Sequence, residues 1–406
     1  MRRYSILRDL SGSAVRRSFA SSLDIGVFAA GLAGAPMQPR RGQPVPEMQI
    51  DVAELSEKDA RDARRDPFVV DVAPTMSTKL IAPFQGTVAA NIESSWGVNA
   101  VGAAHSPYDG SGVRVAVLDT GIESSHPAFD GVNLTEMDFT GSGNGDVQGH
   151  GTHVAGTVFG RDVAGTRIGV ARGVTDVLIG KVLDNGGGGT SEMLFNGMQW
   201  AAREGAQVIS MSLGFDFPGW VKSLIENQNV PADLATSVAL EDYRRNIRMF
   251  DAILTTIEAR EPFSGGTIVC GAAGNEALRD IHPDYEISVS VPSAALGVIS
   301  VGALGESDDG LSVTDFSNTG PTVSAPGENI LSAALGGGLV AWNGTSMACP
   351  HVAGVAALWW QAVTPLGLPR SATSVSHRLM GATRPGVFAP GVDIEDRGQG
   401  LVTAPV

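Results

Sequence analysis

The chain has 406 residues, of which 43% are apolar and 17% charged, with 52 glycines; that composition suits a globular, loop-rich protein with room for one large α/β domain and a smaller one, and excludes a disordered or fibrous chain. The net charge of −15 is unevenly spread: residues 1–90 hold 12 basic against 10 acidic side chains and the remainder 16 against 33, about +2 and −17. An acidic body argues against nucleic acid or an anionic membrane as partner, and no run of 18 apolar residues is present to form a transmembrane helix.

From the N-terminus, "RRYSIL" alternates like a strand. Arg16-Arg17-Ser18-Phe19 followed by "IGVFAAGLAGAP" is faintly similar to a twin-arginine export signal, but Asp24 interrupts it and the apolar run is short. A cytoplasmic location is the expectation, and export by this route the alternative. Residues 37–49 read as a Pro-rich loop. "VAELSEKDARDARRDPFVVDVAP" then predicts a helix capped by Ser56, with Glu57 and Asp59 in its first turn, and a strand Phe68–Val72 stopped by Pro74. A linker follows from about Thr75 to Glu93.

From Val113 the pattern changes. "VRVAVLD", "DVLIGKVLD", "AQVISMSLG", "GTIVCGAAGN" and "LGVISVGAL" are continuous apolar runs, as expected of parallel strands buried on both faces. Helices are predicted between them at His150–Phe159, Ser191–Glu204 and Ala348–Val363. The fold class is therefore α/β, a three-layer, doubly wound, mostly parallel sheet, with a small N-terminal α+β unit. Such sheets hold their active groups beyond the carboxyl ends of the strands. Cys270 and Cys349 each lie in an apolar run and read as buried free thiols.

Asp119 ends "VAVLD", at the carboxyl edge of a strand; by itself it is equally a turn-capping aspartate. His150 opens a small-residue helix between Gly149 and Gly151, which allow close backbone approach. His150 and His153 are too close in sequence, and lack the intervening Glu, for the H-E-x-x-H zinc arrangement, so no metal site is expected and His153 reads as a buried structural residue. Ser346 precedes an apolar helix with Pro350 expected in its first turn, where a missing N–H is harmless. A serine there lies beside unpaired helix N–H groups suited to stabilising an oxyanion. Alone, Ser346 is an ordinary N-cap; together with Asp119 and His150 it completes an Asp, His, Ser order known for a nucleophilic constellation. A Ser, acid, His esterase is excluded by the order.

The blocks "VAVLDTGIESSHP", "GHGTHVAG", "SMSLG", "AAGNE", "VSAPG" and "NGTSMACPHVAG", in register between about Trp96 and Gln361, resemble the signature blocks of the subtilisin family of serine peptidases. The resemblance implies that Asp119 orients His150, that His150 is the general base, that Ser346 is the nucleophile, and that Asn275 with the Ser346 backbone N–H forms the oxyanion hole. It implies that Ser212, Leu213 and Gly214 on one side and Gly187, Gly188 and Gly189 ("NGGGG", Asn185–Gly189) on the other flank an extended substrate, with Ala272, Ala273 and Gly274 at the floor of the main specificity pocket. Glu276 at its mouth would bias the pocket toward basic residues. No cofactor is required for the chemistry. Many members bind a structural calcium, but Ala128 stands where they carry an aspartate and "GRDVAGTRIG" departs from their ligand loop, so the usual site looks lost.

Implied partners are protein or peptide substrates and the chain's own prosegment as an intramolecular inhibitor. Residues 1–90 are expected to be that prosegment-like unit with its linker, and 91–406 a subtilisin-like catalytic domain. Self-cleavage is expected between Met76 and Ala90. Around 217–264 the domain carries an insertion that predicts a long amphipathic helix, packed on the body or acting as a lid or partner surface. The main expectation is a broad serine endopeptidase with apolar preference, made as a precursor. The alternatives are a dedicated maturation peptidase and an inactive peptide-binding protein.

Overall fold

The five apolar runs lie side by side in a single sheet of eight strands. In the computed structural model, which describes residues 1–10, 45–87 and 93–406, the order is Gly310–Val313, Val298–Ser307, Ile268–Ala272, Val208–Met211, Arg114–Asp119, Asp176–Lys181 and Asn133–Asp138, with Val323–Pro326 also paired to Val298–Ser307. All the pairings are parallel except that of the edge strand Gly310–Val313. The runs have no polar face because both faces are covered. Val115 and Val117 join one buried cluster with Val154 and Val158 of the helix His150–Phe159 and Val352, Val355 and Ala356 of the helix Thr345–Ala362. On the opposite face of the same strand, Leu118 meets Gly197 of the helix Ser191–Arg203. Two helical layers thus sandwich the sheet, as the expected fold class requires.

This body is one of two units into which the chain divides. It comprises Ser77–Asp216 and Thr267–Val406, and the other unit comprises Met1–Met76 and Phe217–Gly266. The second unit does not follow the sequence-based division at residue 90, because the insertion falls with the N-terminal strands and not with the body that encodes it.

In that unit Arg2–Asp9 is the central strand of an antiparallel sheet, flanked by Met48–Leu55 and Val69–Pro74. Tyr4, Ile6, Val69 and Val72 pack with Ala60 of the helix Glu57–Ala63. That helix begins as expected: Ser56 Oγ accepts from the Asp59 N–H, and the Asp59 carboxylate returns a bond to the Ser56 N–H. The insertion ends in the short helix Glu261–Ser264 and is built mainly of two longer ones, Phe217–Gln228 and Ala232–Ala259. Asn229 turns the chain between them in the left-handed region, which asparagine tolerates. They close on Leu224, Ala235 and Ala239, with Phe217, Trp220 and Val221 against them. The export-signal reading, Arg16–Phe19 and the apolar stretch to Pro36, lies outside the described residues. No described helix is long and apolar enough to cross a membrane.

Candidate active site

Asp119 is the last residue of its strand and is 1% exposed. Its Oδ1 accepts from His150 Nδ1 at 2.8 Å and from the Thr120 N–H at 2.8 Å. His150 is the first residue of its helix, entered through Gly149 at φ +94°, a conformation that glycine supplies without strain. Gly149 has no side chain to cap the helix, and the missing acceptor comes from Asp146. Its Oδ1 accepts from the Gly149 N–H at 2.9 Å and its Oδ2 from the Thr152 N–H at 3.0 Å and Thr152 Oγ1 at 2.8 Å. Asp146 Oδ1 also accepts from Thr120 Oγ1 at 3.0 Å, so one buried carboxylate ties the loop after Asp119 to the helix of His150. The sequence reading missed Asp146; the signal available was an acid four residues before a helix start with no capping side chain.

Gly151 explains the close fit. A Cβ placed on it would fall inside van der Waals contact with the Gly121 carbonyl. Gly151→Ala is expected to cost about 1–3 kcal/mol and to lower kcat by moving His150 off Asp119. Urea midpoints and turnover of the variant check both.

The helix carrying Ser346 differs from expectation. It spans Thr345–Ala362, starting one turn earlier than Ala348, so Ser346 lies inside the first turn and Pro350 falls in the second. Pro350 therefore removes a real intrahelical bond, the one to the Ser346 carbonyl. Ser212 Oγ supplies a replacement, donating to that carbonyl at 3.3 Å. Asn275 is held from the same helix end: its Oδ1 accepts from the Thr345 N–H at 2.9 Å and Thr345 Oγ1 at 2.8 Å. Holding the oxygen fixes the amide so that Nδ2 points the other way, where it donates to the Ala82 carbonyl at 3.1 Å.

That carbonyl belongs to a segment of the chain itself. Ser77–Leu80 is an antiparallel strand between Leu213–Phe215 and Gly188–Thr190, with Lys79 opposite both Gly214 and Gly188. The Leu80 N–H donates to the Gly187 carbonyl at 2.9 Å. The two edges named from the sequence thus meet across a third strand. Beyond it Ile81 is 2% exposed, in the same buried cluster as Ala272. A Cβ on Gly214 would touch its Cγ1 at 3.7 Å. Ser346 Oγ donates to the Ile81 carbonyl at 3.1 Å, and His150 Nε2 is buried without a hydrogen-bond partner.

Residues 290–291 close this region: the Ser290 N–H donates to the Ala273 carbonyl at 3.1 Å, and the Val291 carbonyl accepts from the Phe215 N–H at 3.0 Å. Asn318, also missed in the sequence, braces the Gly274–Ala277 turn. Its Oδ1 accepts from the Glu276 and Ala277 N–H groups at 3.0 and 3.1 Å, and its Nδ2 donates to Glu276 Oε2 at 2.9 Å. The Glu276 carboxylate is therefore engaged by Asn318.

His153 is fully buried, bonded through Nε2 to the Ile330 carbonyl at 3.0 Å and stacked on Trp342 at 4.7 Å. Burial lowers its pKa to about 3, helped by the neighbouring His150, and burial lowers that of His351 to about 4. The ordinary value of an imidazole is 6.5, so below it the unfolded chain binds protons that the folded chain refuses. Stability then falls as pH drops from about 6.5 toward 4, by roughly 1 kcal/mol per pH unit for each imidazole. Thermal melting of a Ser346→Ala chain from pH 7 to 5 is expected to show the loss, with a shallower slope in His351→Gln. Cys270 and Cys349 are free and buried, and burial pushes the Cys349 thiol up to about 11. Among the described residues, no group of three or more His, Cys, Asp or Glu is gathered as a metal ion would need.

Comparison with known proteins matches residues 110–400 to the peptidase S8 description, the Subtilase family. The chain is 32% identical over 320 residues to the subtilisin-like serine protease Pen c 1 of Penicillium citrinum, covering 75% of this chain and 68% of that protein. It is 30% identical over 353 residues to subtilisin-like protease 5 of Arthroderma gypseum, covering 83% and 74%. It is 34% identical over 257 residues to an intracellular serine protease of Paenibacillus polymyxa, covering 61% and 67%.

Proposed function

The chain belongs to the subtilase family and is a hydrolase of the subtilisin-like serine protease kind, and from that premise we propose that Asp119, His150 and Ser346 form its catalytic triad and that it first cuts its own chain between Ile81 and Ala82. The observation that carries this reading is the strand Ser77–Leu80, paired on both sides, which delivers the Ile81 carbonyl to Ser346 Oγ at 3.1 Å.

For reaction the Ser346 hydroxyl turns from that carbonyl to His150 Nε2, a rotation about one side-chain bond. His150 takes the proton as Oγ attacks the carbonyl carbon. The Ile81 oxygen that becomes negative is stabilised by the Ser346 backbone N–H at the positive end of the helix and by Asn275 Nδ2, which leaves the Ala82 carbonyl to reach it. His150 then gives the proton to the departing Ala82 nitrogen, leaving residues up to Ile81 as an ester on Ser346. A water that loses its proton to His150 attacks the ester and releases the new carboxyl terminus. Asp119 supports the imidazolium. No cofactor enters these steps.

Until it leaves, the strand fills the cleft and blocks other substrates, which makes the N-terminal segment an inhibitor as well as a substrate. Other protein substrates bind as it does, by main-chain pairing with Leu213–Phe215 and Gly188–Thr190. The pocket holding Ile81 favours apolar side chains. A further selection arises two residues earlier, where Lys79 Nζ lies 3.2 Å from Asp216 Oδ1. The pair is partly exposed, so its worth is modest. Cleavage profiling of a peptide library is expected to show an apolar residue before the cut and Lys over Glu two residues upstream by about 2–5-fold, with that bias lost in Asp216→Asn. A fluorophosphonate should label Ser346 in the wild type; no label and no cleavage would end the peptidase reading.

A further inference from the structure

We infer that residues 1–76 stay bound to the insertion Phe217–Gly266 after the chain is cut, so that the working enzyme consists of two chains. The inference rests on the proposed cut after Ile81, and goes beyond it in saying where the N-terminal piece goes.

The N-terminal sheet has two faces to cover. Tyr4, Ile6 and Val72 point to the helix Glu57–Ala63. Alternation along the strands puts Ser5, Leu7, Ala73 and Met48 on the other face. All four are buried, at 1%, 0%, 0% and 6% exposed. The helix Ala232–Ala259 lies against Val69–Pro74. Asn246 Nδ2 donates to the Pro74 carbonyl at 2.9 Å, and Thr256 Oγ1 reaches Met48 Sδ at 2.9 Å. Those two anchors are ten residues apart on the helix, about 15 Å along its axis, so the helix spans from one outer strand to the other. The insertion thus supplies a layer of the N-terminal fold.

A charged lock joins the same two segments. Asp242 is 3% exposed, and its carboxylate takes both arms of the Arg2 guanidinium, Nη2 to Oδ2 at 2.5 Å and Nη1 to Oδ1 at 3.4 Å. Trp220 Nε1 donates to Oδ2 at 3.1 Å, and Arg2 sits over the Trp220 ring at 5.7 Å. Arg245 adds a weaker pairing with Glu57 at 3.9 Å. Departure of the N-terminal piece would leave Asp242 buried with only the indole as partner and expose the second face of the sheet. A buried charge stripped of its partner is strongly unfavourable, on the order of 10²–10³ in an equilibrium constant.

Cleavage touches none of these contacts. The unit ends at Met76 and the proposed cut lies five residues beyond, at the end of the strand in the cleft. Hydrolysis therefore removes the covalent link and frees Ser77–Ile81 to leave the cleft, while residues 1–76 keep their helix. Each turnover then occurs with the N-terminal chain in place, its tail present at a high local concentration as a weak competitor.

Native mass spectrometry and gel filtration at nanomolar concentration, on wild-type protein labelled at its active serine with a fluorophosphonate, test this. The labelled particle is expected to contain residues 1–81 and 82–406 in equal amounts. Arg2→Ala should speed loss of the N-terminal chain at least 10-fold, and Arg2→Met with Asp242→Leu should restore retention, which a general folding defect would not do. A labelled particle made of 82–406 alone overturns the inference. A wild-type chain that stays whole refutes self-cleavage instead, and retention is then decided on a Ser346→Ala chain with a foreign protease site inserted between Met76 and Ser77, which leaves the cleft strand with the body. After cutting by that protease, co-elution of the two pieces supports retention and separation overturns it.

Discussion

Ser346→Ala is expected to purify as a single chain of full length, while the wild type is expected to show a new amino terminus at Ala82. Intact mass and N-terminal sequencing distinguish the two. The variant keeps every contact of the strand except one: Leu80 still bonds Gly187, Lys79 still pairs with Gly214 and Gly188, and only the hydroxyl that reaches the Ile81 carbonyl is gone. Loss of the cut then reports on the nucleophile and not on the fold. Turnover of an added peptide should fall by about 10⁶, the size known for removal of the nucleophile in a member of this family. A Ser346→Ala chain that is cut as fast as wild type would transfer the reaction to another group or another protein.

How far the sequence carried this reading depended on range. Asp119, His150 and Ser346 stand out in the sequence because each is marked locally, by the end of an apolar run, by flanking glycines, or by the start of an apolar helix, and a resemblance in six blocks ties them together. The start of the Ser346 helix differs from the local pattern because a proline suits a first turn, whereas Pro350 sits in the second; the lost bond is offset by Ser212 Oγ, more than 130 positions away, which no local pattern reveals. Asp146 and Asn318 escaped for the same reason: each acts through backbone groups of a turn, and a turn aspartate or asparagine looks alike whether it holds an active site or a surface loop. The insertion shows the limit most plainly. Its helical periodicity predicted the helix, but part of what that helix covers is a sheet drawn from the start of the chain, with Arg2 and Asp242 finding each other across 240 positions. Periodicity tells which face is buried and says nothing of what buries it.

Asp119→Asn is expected to leave the fold intact and to lower kcat by about 10⁴, as the same change does in an unrelated serine protease with this constellation. Asp119 accepts through one oxygen from His150 Nδ1 and from the Thr120 N–H, each at 2.8 Å, while its Oδ2 is buried without a partner. An asparagine is nearly the same size, so packing in this 1% exposed site survives. Two orientations are open to it. With its oxygen toward His150 the amide nitrogen takes the unpartnered Oδ2 position, burying an N–H pair without an acceptor, and the imidazolium formed in the reaction loses its counter-charge. With its nitrogen toward His150 it donates to Nδ1, which forces the ring proton onto Nε2, where the base must be free to accept from Ser346. Either way the cost falls on the step in which the proton leaves Ser346, so kcat drops while KM for a short peptide stays nearly unchanged. Raising the pH should recover part of the loss, because hydroxide can then take the serine proton directly. A variant with wild-type kcat and a raised KM would assign Asp119 to substrate binding, leaving His150 to be oriented by its helix and by Asp146.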